Sequence, residues 1–200
     1  MAEQQIPFYS HQDLCRAAEA FLRKHHASLD VPVPIEEIID NHFRLDIIPL
    51  PGLQDSYDTV GFTTGDLTAI YVDEFVYKRR PTRYRFTLAH EIGHVVLHAD
   101  FYRSRCWHNL AEWKKEILSI PEDQYRFLEW HANAFAGLVL VPEAPLAREI
   151  KRCEAIIKRH APQALKEPAA YREFLEACLA QRFDVSVDVV ARRINKRPDV

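Results

Sequence analysis

The sequence predicts a single α+β domain in which a small antiparallel sheet packs on a long helix and further helices complete the chain. Three observations indicate this fold class: amphipathic helical spacing near the start, a hairpin signal in the middle, and helical spacing through most of the second half. The 200 residues suffice for one sizeable core but hardly for two independent units. We therefore assign residues 1–200 to one domain, with about 1–145 as the core and about 146–200 as a helical C-terminal part.

The first third of the chain alternates between helical and extended patterns. Apolar residues recur at helical spacing in residues 14–25 and 35–42, which predicts two short helices. Runs rich in β-branched and aromatic residues predict strands at residues 44–49, 59–64 and 67–72. Because Gly65 and Asp66 separate the last two runs, we expect them to form a hairpin.

The remaining two thirds have mainly helical spacing. A long helix begins near Arg83, with Thr82 or Thr87 as its expected cap. Further helices are expected around 110–120, ending at Pro121, over 129–139, ending before Pro142, and from Pro145 to the end with a break at 162–168.

Composition excludes several classes of protein. A net charge of −3 and a pI near 6.4 provide no global positive field, so we expect no direct nucleic-acid binding. The longest uncharged stretch, 132–142, is far shorter than the ~20 residues that cross a bilayer, so no membrane association is expected. No basic start followed by an apolar run occurs at the N-terminus, which predicts a cytoplasmic, reducing location.

The four cysteines, Cys15, Cys106, Cys153 and Cys178, lie far apart and form no CxxC pair. This spacing suits neither a disulfide framework nor a zinc knuckle. We predict four buried or inert thiols.

The segment His90-Glu91-Ile92-Gly93-His94 matches the metalloprotease pattern of two histidines four positions apart. On a helix such residues share one face about 6 Å apart along the axis, so both imidazoles can reach one Zn²⁺ ion. Glu91 is rotated about 100° from His90 and can reach a water on the metal. It is the predicted general base for attack on a carbonyl carbon.

Glu129 is the best candidate for a third metal ligand. It lies in EWHANAFA, where Ala132 and Ala136 leave room for close approach to the first helix. Asn133, one turn later, is expected to orient a ligand through a hydrogen bond, or else to be a surface amide. His131 competes with Glu129, but the two point to nearly opposite sides of a helix and cannot both bind one ion.

His98 continues the stripe of His90 and His94 but lies too far along the axis to share their ion. We expect it to support the site from the last helical turn, by bonding free carbonyl groups or by packing. The sequence does not identify the group that stabilises an oxyanion, for which the candidates are Tyr57, Tyr102, His108 and His131.

The tail at 179–196 has the pattern of a helix-turn-helix, with Ser186 as a cap. Its basic residues are Arg192, Arg193, Lys196 and Arg197. Its apolar residues favour closure of a small helical subdomain over DNA binding.

Two blocks, RFTLAHEIGHVVLH at 85–98 and EWHANAFAGLVLVP at 129–142, resemble the ImmA/IrrE family of metallopeptidases. The N-terminal helix pair, AIYVD and RFDVSVDVVARRI also resemble that family, whereas 100–128 is longer than its usual connection. Gly137 and residues 139–141 depart from its usual motif, which affects packing more than chemistry.

The resemblance implies a gluzincin-like α+β core with His90, His94 and Glu129 as Zn²⁺ ligands and Glu91 as catalytic acid/base. It also implies a protein substrate, specifically a helix-turn-helix repressor whose cleavage releases stress-response or mobile-element genes. A non-catalytic antirepressor or sensor that grips its partner is the first alternative, and a DNA-binding regulator is the second.

Overall fold

The computed structural model describes residues 6–105, 107 and 109–195. In these described residues, three strands lie among eleven α-helices, a π-helical turn at Ile39–Phe43 and a 3-10 turn at Pro162–Lys166. The strands are β1 (Asp46–Leu50), β2 (Gly61–Thr63) and β3 (Ala69–Asp73). The helices are α1 (His11–His25), α2 (Ile35–Ile38), α3 (Leu53–Tyr57), α4 (Glu74–Arg79), α5 (Pro81–Leu97), α6 (Ala99–Arg103), α7 (Leu110–Ser119), α8 (Glu122–Leu140), α9 (Glu143–His160), α10 (Pro168–Phe183) and α11 (Val187–Ile194).

The α+β class is confirmed, but the sheet is mixed and not antiparallel throughout. Its strand order is β1-β3-β2, with β2 and β3 antiparallel as the hairpin signal predicted. β1 pairs in parallel with β3, from Asp46 opposite Ala69 to Leu50 opposite Asp73. The chain passes through α3 and β2 before it returns as β3, and this detour is the crossover that a parallel pair requires.

Helix α5 begins earlier than its predicted caps. Arg80 occupies the N-cap position and Pro81 the first helical position, where the missing proline N–H costs no hydrogen bond. Thr87, one of the expected caps, is instead buried within the helix. The α8 helix also starts earlier than predicted, directly after Pro121.

Helices α5 and α8 pack against each other at very short range. A Cβ atom added at Gly93 would lie 3.1 Å from the Ala132 Cα, 3.3 Å from the Ala132 carbonyl oxygen and 3.3 Å from the Phe135 ring. Gly93 and Ala132 therefore allow the two backbones to approach in a way that larger side chains would prevent.

The buried side chains of the described residues form two core clusters. The larger joins α1, α5, the C-terminal half of α8 and α9–α11. The smaller lies over the hairpin and includes Phe62, Tyr102, Trp107 and Trp113. Most of its members come from residues 100–128, the segment that is longer here than the usual connection in the family that the sequence resembles. This segment therefore adds packing to the sheet.

The prediction of four thiols was wrong for two of the cysteines. Cys153 and Cys178 form a disulfide bond with a Cα–Cα distance of 5.9 Å. Their separation along the chain hid this pairing, because α9 and α10 bring them together only through tertiary packing. Cys15 is not in a disulfide, and Cys106 lies outside the described residues.

No helix in the described part of the chain is both long enough and apolar enough to span a membrane.

Gly93→Val is expected to destabilise the protein by about 1–3 kcal/mol, because the added side chain overpacks the α5–α8 contact. Gly137→Ala is the matched control, since a Cβ there meets only the Arg193 Cδ, at 3.8 Å. That control should gain roughly 0.5–1 kcal/mol from reduced backbone freedom in the unfolded chain. Urea unfolding of both variants measures the difference, and equal stabilities would contradict the proposed role of Gly93.

Candidate metal centre

The structure brings His90, His94 and Glu129 together at the α5–α8 contact. The two histidine Nε2 atoms lie 3.0 Å apart. Glu129 places one carboxylate oxygen 3.4 Å from the His90 Nε2 and the other 3.5 Å from the His94 Nε2. Glu129 reaches them because Ala132, three residues later on α8, lies against Gly93.

These three side chains fit a Zn²⁺ ion. Bonds of about 2.0–2.1 Å to a tetrahedral zinc place neighbouring ligand atoms roughly 3.3 Å apart. The three separations, 3.0, 3.4 and 3.5 Å, bracket that value. Among the described His, Cys, Asp and Glu side chains, these three form the group whose ligand atoms lie close enough together to hold one ion.

Asn133 and His98 each contact one of the two histidines. The Asn133 Oδ1 lies 3.3 Å from the His90 Nδ1, and the His98 Nδ1 lies 3.2 Å from the His94 Nδ1. An Nδ1–H that donates to Asn133 leaves the His90 Nε2 lone pair directed at the centre. Of the two roles expected of His98, its contact with a candidate ligand agrees with packing against the site and not with a bond to the helix-end carbonyl groups.

The chain of imidazoles continues beyond His98. Its Nε2 lies 3.2 Å from the His131 Nδ1, and the backbone N–H of Tyr9 donates to the His131 Nε2 over 3.2 Å. Burial, reinforced by the neighbouring histidines, lowers the pKa of His98 to about 2, and burial also lowers the pKa of His131. Both rings are therefore neutral at pH 7, and His131 lies behind the centre as a packing residue.

Electrostatics favour an ionised carboxylate at Glu129. Burial alone raises the pKa of Glu129, but hydrogen bonds and charge interactions with His90 and His94 hold that pKa well below its usual range. Burial likewise opposes a charge on His90, yet the Glu129 carboxylate raises the pKa of His90 above its usual value. The carboxylate is an anionic ligand at neutral pH, and metal binding displaces any proton held between the histidines.

Glu91 lies beneath the edge strand and is almost fully buried. The Thr63 Oγ1 donates a hydrogen bond of 2.8 Å to the Glu91 Oε2. A Cβ at Gly61, two residues earlier on β2, would lie 3.5 Å from the Glu91 Oε1 and 2.7 Å from the Thr87 methyl carbon. The absence of a side chain at Gly61 therefore makes room for Thr87 beneath the strand, while Glu91 lies at ordinary contact distance.

Sequence reasoning missed Thr63 as a partner of Glu91. The available signal was the alternation of β2, which places Gly61 and Thr63 on the same face. A small residue and a hydroxyl on one face of an otherwise apolar strand indicate contact with a polar group.

Two tyrosines stand beside the centre. The Tyr102 ring lies 5.4 Å from the His94 ring, and burial together with Glu91 and Glu129 raises the pKa of Tyr102 well above its usual value. Burial and a hydrogen bond to Glu129 similarly raise the pKa of Tyr125, one turn before Glu129 on α8. Both phenols keep their protons, and the one-turn spacing from Glu129 was the overlooked signal for Tyr125.

The other predicted oxyanion candidates lie elsewhere. Tyr57 packs in the smaller core cluster, with the Lys114 ammonium 4.9 Å from its ring centre. His108 lies outside the described residues.

The outer edge of β2 is partly covered. The Trp107 indole N–H donates to the Thr63 carbonyl oxygen over 2.8 Å, and the Gly65 N–H donates to the Trp107 carbonyl oxygen over 2.9 Å. A polypeptide that adds as a strand at this edge must therefore pair away from the Thr63 carbonyl.

The helix-turn-helix pattern of the tail corresponds to α10 and α11, with Ser186 at the N-cap position of α11. Arg193 points inward, since its Nε donates to the Val141 carbonyl oxygen and its guanidinium pairs with Glu143. Arg192 is exposed, whereas Lys196 and Arg197 lie outside the described residues.

A helix carrying HExxH, joined by a carboxylate from a second helix, defines a metallopeptidase-like site. The model of the peptidase M78 family, described as the IrrE N-terminal-like domain, matches residues 75–195. The chain belongs to this family, as the resemblance in the sequence predicted.

Two known proteins are similar over much of the chain. The radiation response metalloprotease IrrE of Deinococcus radiodurans is 27% identical over 157 residues, which cover 74% of this chain and 41% of that protein. A Mycobacterium tuberculosis transcriptional regulator has the same fold, with a TM-score of 0.59 and 17% identity over 95% of this chain and 58% of that one. The chain thus spans less than two thirds of either relative.

Replacing the supports of the centre is expected to weaken Zn²⁺ binding in a graded way. His98→Ala and Asn133→Ala should each lower affinity about 10–100-fold, since each frees one imidazole to rotate. Glu129→Ala, which removes a candidate ligand, should lower it further. Competition with a chromophoric chelator measures the affinities, and His160→Ala on α9 is the control. Wild-type affinity in Glu129→Ala would refute this ligand set.

Proposed function

We propose that this protein is a Zn²⁺-dependent endopeptidase of the cytoplasm, with a gluzincin-like core, that hydrolyses a peptide bond in a regulatory protein. One observation carries the proposal: a buried carboxylate, Glu91, is fixed by Thr63 beside a His-His-Glu set that fits zinc. The similarity to the radiation response metalloprotease of Deinococcus radiodurans supports the reaction class.

His90, His94 and Glu129 would hold the ion. Zinc, when bound, supplies Lewis acidity that acidifies water and polarises a carbonyl group. Glu91 takes a proton from the attacking water and delivers it to the departing amine. Because Thr63 holds the Oε2, the Oε1 of Glu91 is the oxygen that handles this proton.

A neutral phenol beside the site provides a hydrogen-bond donor for the oxyanion. The Tyr102 ring lies 5.4 Å from the ring of the candidate ligand His94, and burial keeps the Tyr102 phenol protonated. We assign Tyr102 this role ahead of Tyr57, which packs in the smaller core cluster, and His131, which contacts Tyr9 and His98.

We further propose that the substrate is a helix-turn-helix repressor. The support is the family resemblance of the two motif blocks. In the described part of the tail, Arg193 is turned inward and is not presented to DNA. Cleavage of the repressor would release the genes that it controls.

The second candidate function is a non-catalytic antirepressor that binds its partner without cutting it. The observation in its favour is the Trp107 indole, which occupies the Thr63 carbonyl at the sheet edge where an extended substrate would pair. Under this alternative, the metal-bearing domain serves as a binding platform.

Glu91→Gln separates the two candidates. The variant keeps all three candidate ligands, so it should bind zinc like the wild type while losing cleavage of a candidate repressor by at least about 10³-fold. Zinc content by metal analysis and repressor cleavage by mass spectrometry give the two readouts. If Glu91→Gln still derepresses the target gene in cells, the antirepressor function holds and the endopeptidase proposal fails.

Thr63→Val tests how Glu91 is positioned. The substitution removes the hydroxyl that donates to the Glu91 Oε2 and preserves the shape of the side chain, so kcat should fall about tenfold with little change in KM. Thr68→Val, on the turn of the same hairpin, is the control. An unchanged kcat in Thr63→Val would show that this hydrogen bond does not contribute to the reaction.

A further inference from the structure

A groove extends the α5–α8 contact away from the candidate metal centre. Its cavity volume is about 330 Å³. Asn133 is among its lining residues, and its Oδ1 is the atom that contacts the His90 Nδ1 at 3.3 Å. Phe86, also in the lining, lies one helical turn before His90. The groove is therefore continuous with the surroundings of the candidate ligands.

The floor of this groove is apolar. Phe86 on α5, Ala134 and Leu138 on α8, and Val189 on α11 supply its carbon surface. Trp130 stands at the rim with 41% of its surface exposed. Exposed tryptophan beside an apolar concavity is typical of protein-binding surfaces.

An exposed aromatic pair extends this surface. Phe8 is 71% exposed, and its ring meets the Phe127 ring edge-on at 5.7 Å. Phe127 lies on α8 three residues before Trp130, which places all three aromatics on the same side of the centre.

The charge on the described lining of the groove is positive. Arg192 and Arg193 contribute it, and no carboxylate lines the groove among the described residues. The Arg193 guanidinium already pairs with Glu143. Within the described part of the chain, Arg192 makes no ion pair, so its guanidinium is available to an anion from outside.

We propose that this groove binds the stretch of polypeptide substrate next to the scissile bond, with an apolar side chain on the floor and an Asp or Glu opposite Arg192. The inference rests on the proposed endopeptidase function, which it deepens by naming a substrate preference. From Asn133 to Leu138 the helix rises about 7.5 Å, the length of two to three extended residues.

A polypeptide suits the groove better than nucleic acid does. The floor has carbon surface for side chains, whereas the described lining offers one outward-facing arginine to phosphate groups. Nucleic-acid binding depends on several such cations.

Binding can be measured without turnover. Zinc-loaded Glu91→Gln protein is titrated against two fluorescein-labelled octapeptides, one of alternating leucine and glutamate and one of alternating leucine and lysine, with fluorescence anisotropy as the readout. The leucine–glutamate peptide should bind about two- to fivefold more tightly, the effect of one exposed charge pair. Adding Arg192→Glu should remove or invert this preference, whereas Arg159→Glu, on an exposed face of α9, should keep it.

The apolar half of the proposal has its own pair of variants. Trp130→Ala should weaken binding of both peptides about tenfold, whereas Phe174→Ala, an exposed aromatic on α10, should not. Circular dichroism establishes that each variant is folded.

Several outcomes overturn the inference: no binding of either peptide, equal binding of both, an intact preference in Arg192→Glu, or tighter binding of a labelled DNA duplex. The proposed function fails separately. If wild-type protein binds the leucine–glutamate peptide with the stated preference but cleaves no member of a degenerate peptide library, the groove assignment stands and the endopeptidase proposal does not.

Discussion

The close approach of Gly93 to Ala132 is the constraint on which the rest of the site depends. A helix presents two histidines on one face by its own geometry, but a third ligand must come from another element at a distance that side chains set. Because neither residue holds the helices apart, Glu129 on α8 reaches both imidazoles, and Asn133 reaches the back of one of them. Gly93, within the HExxH segment, thus contributes by letting α5 and α8 approach each other and not by taking part in the reaction.

The sequence predicts most of this site because its information is local. The His90–His94 spacing, the position of Glu91 between them and the small residues after Glu129 each follow from helical periodicity. The parts that it misses are those assembled from distant segments. Thr63 reaches Glu91 across 28 positions and Tyr9 reaches His131 across 122, and no periodic pattern records such contacts.

The same distinction applies to the fold. The hairpin, the breaks at prolines and the helical character of the second half were predicted, since turn chemistry and amphipathic spacing act over a few residues. The direction of β1 and the Cys153–Cys178 disulfide were not, because both depend on how a chain returns after a detour. Parallel strand pairing and cysteine pairing are properties of topology, which composition and residue spacing do not predict.

The segment between the two halves of the site links the metal to folding. An ion held by His94 and Glu129 would tie residues 95–128 into a closed loop, and that loop contains most of the smaller core cluster, including Trp107. A cross-link of this kind limits the freedom of the unfolded chain much as a covalent staple does. Loading of the ion and consolidation of the aromatic cluster would then be one cooperative event, so a chelator should loosen side chains far from any ligand atom.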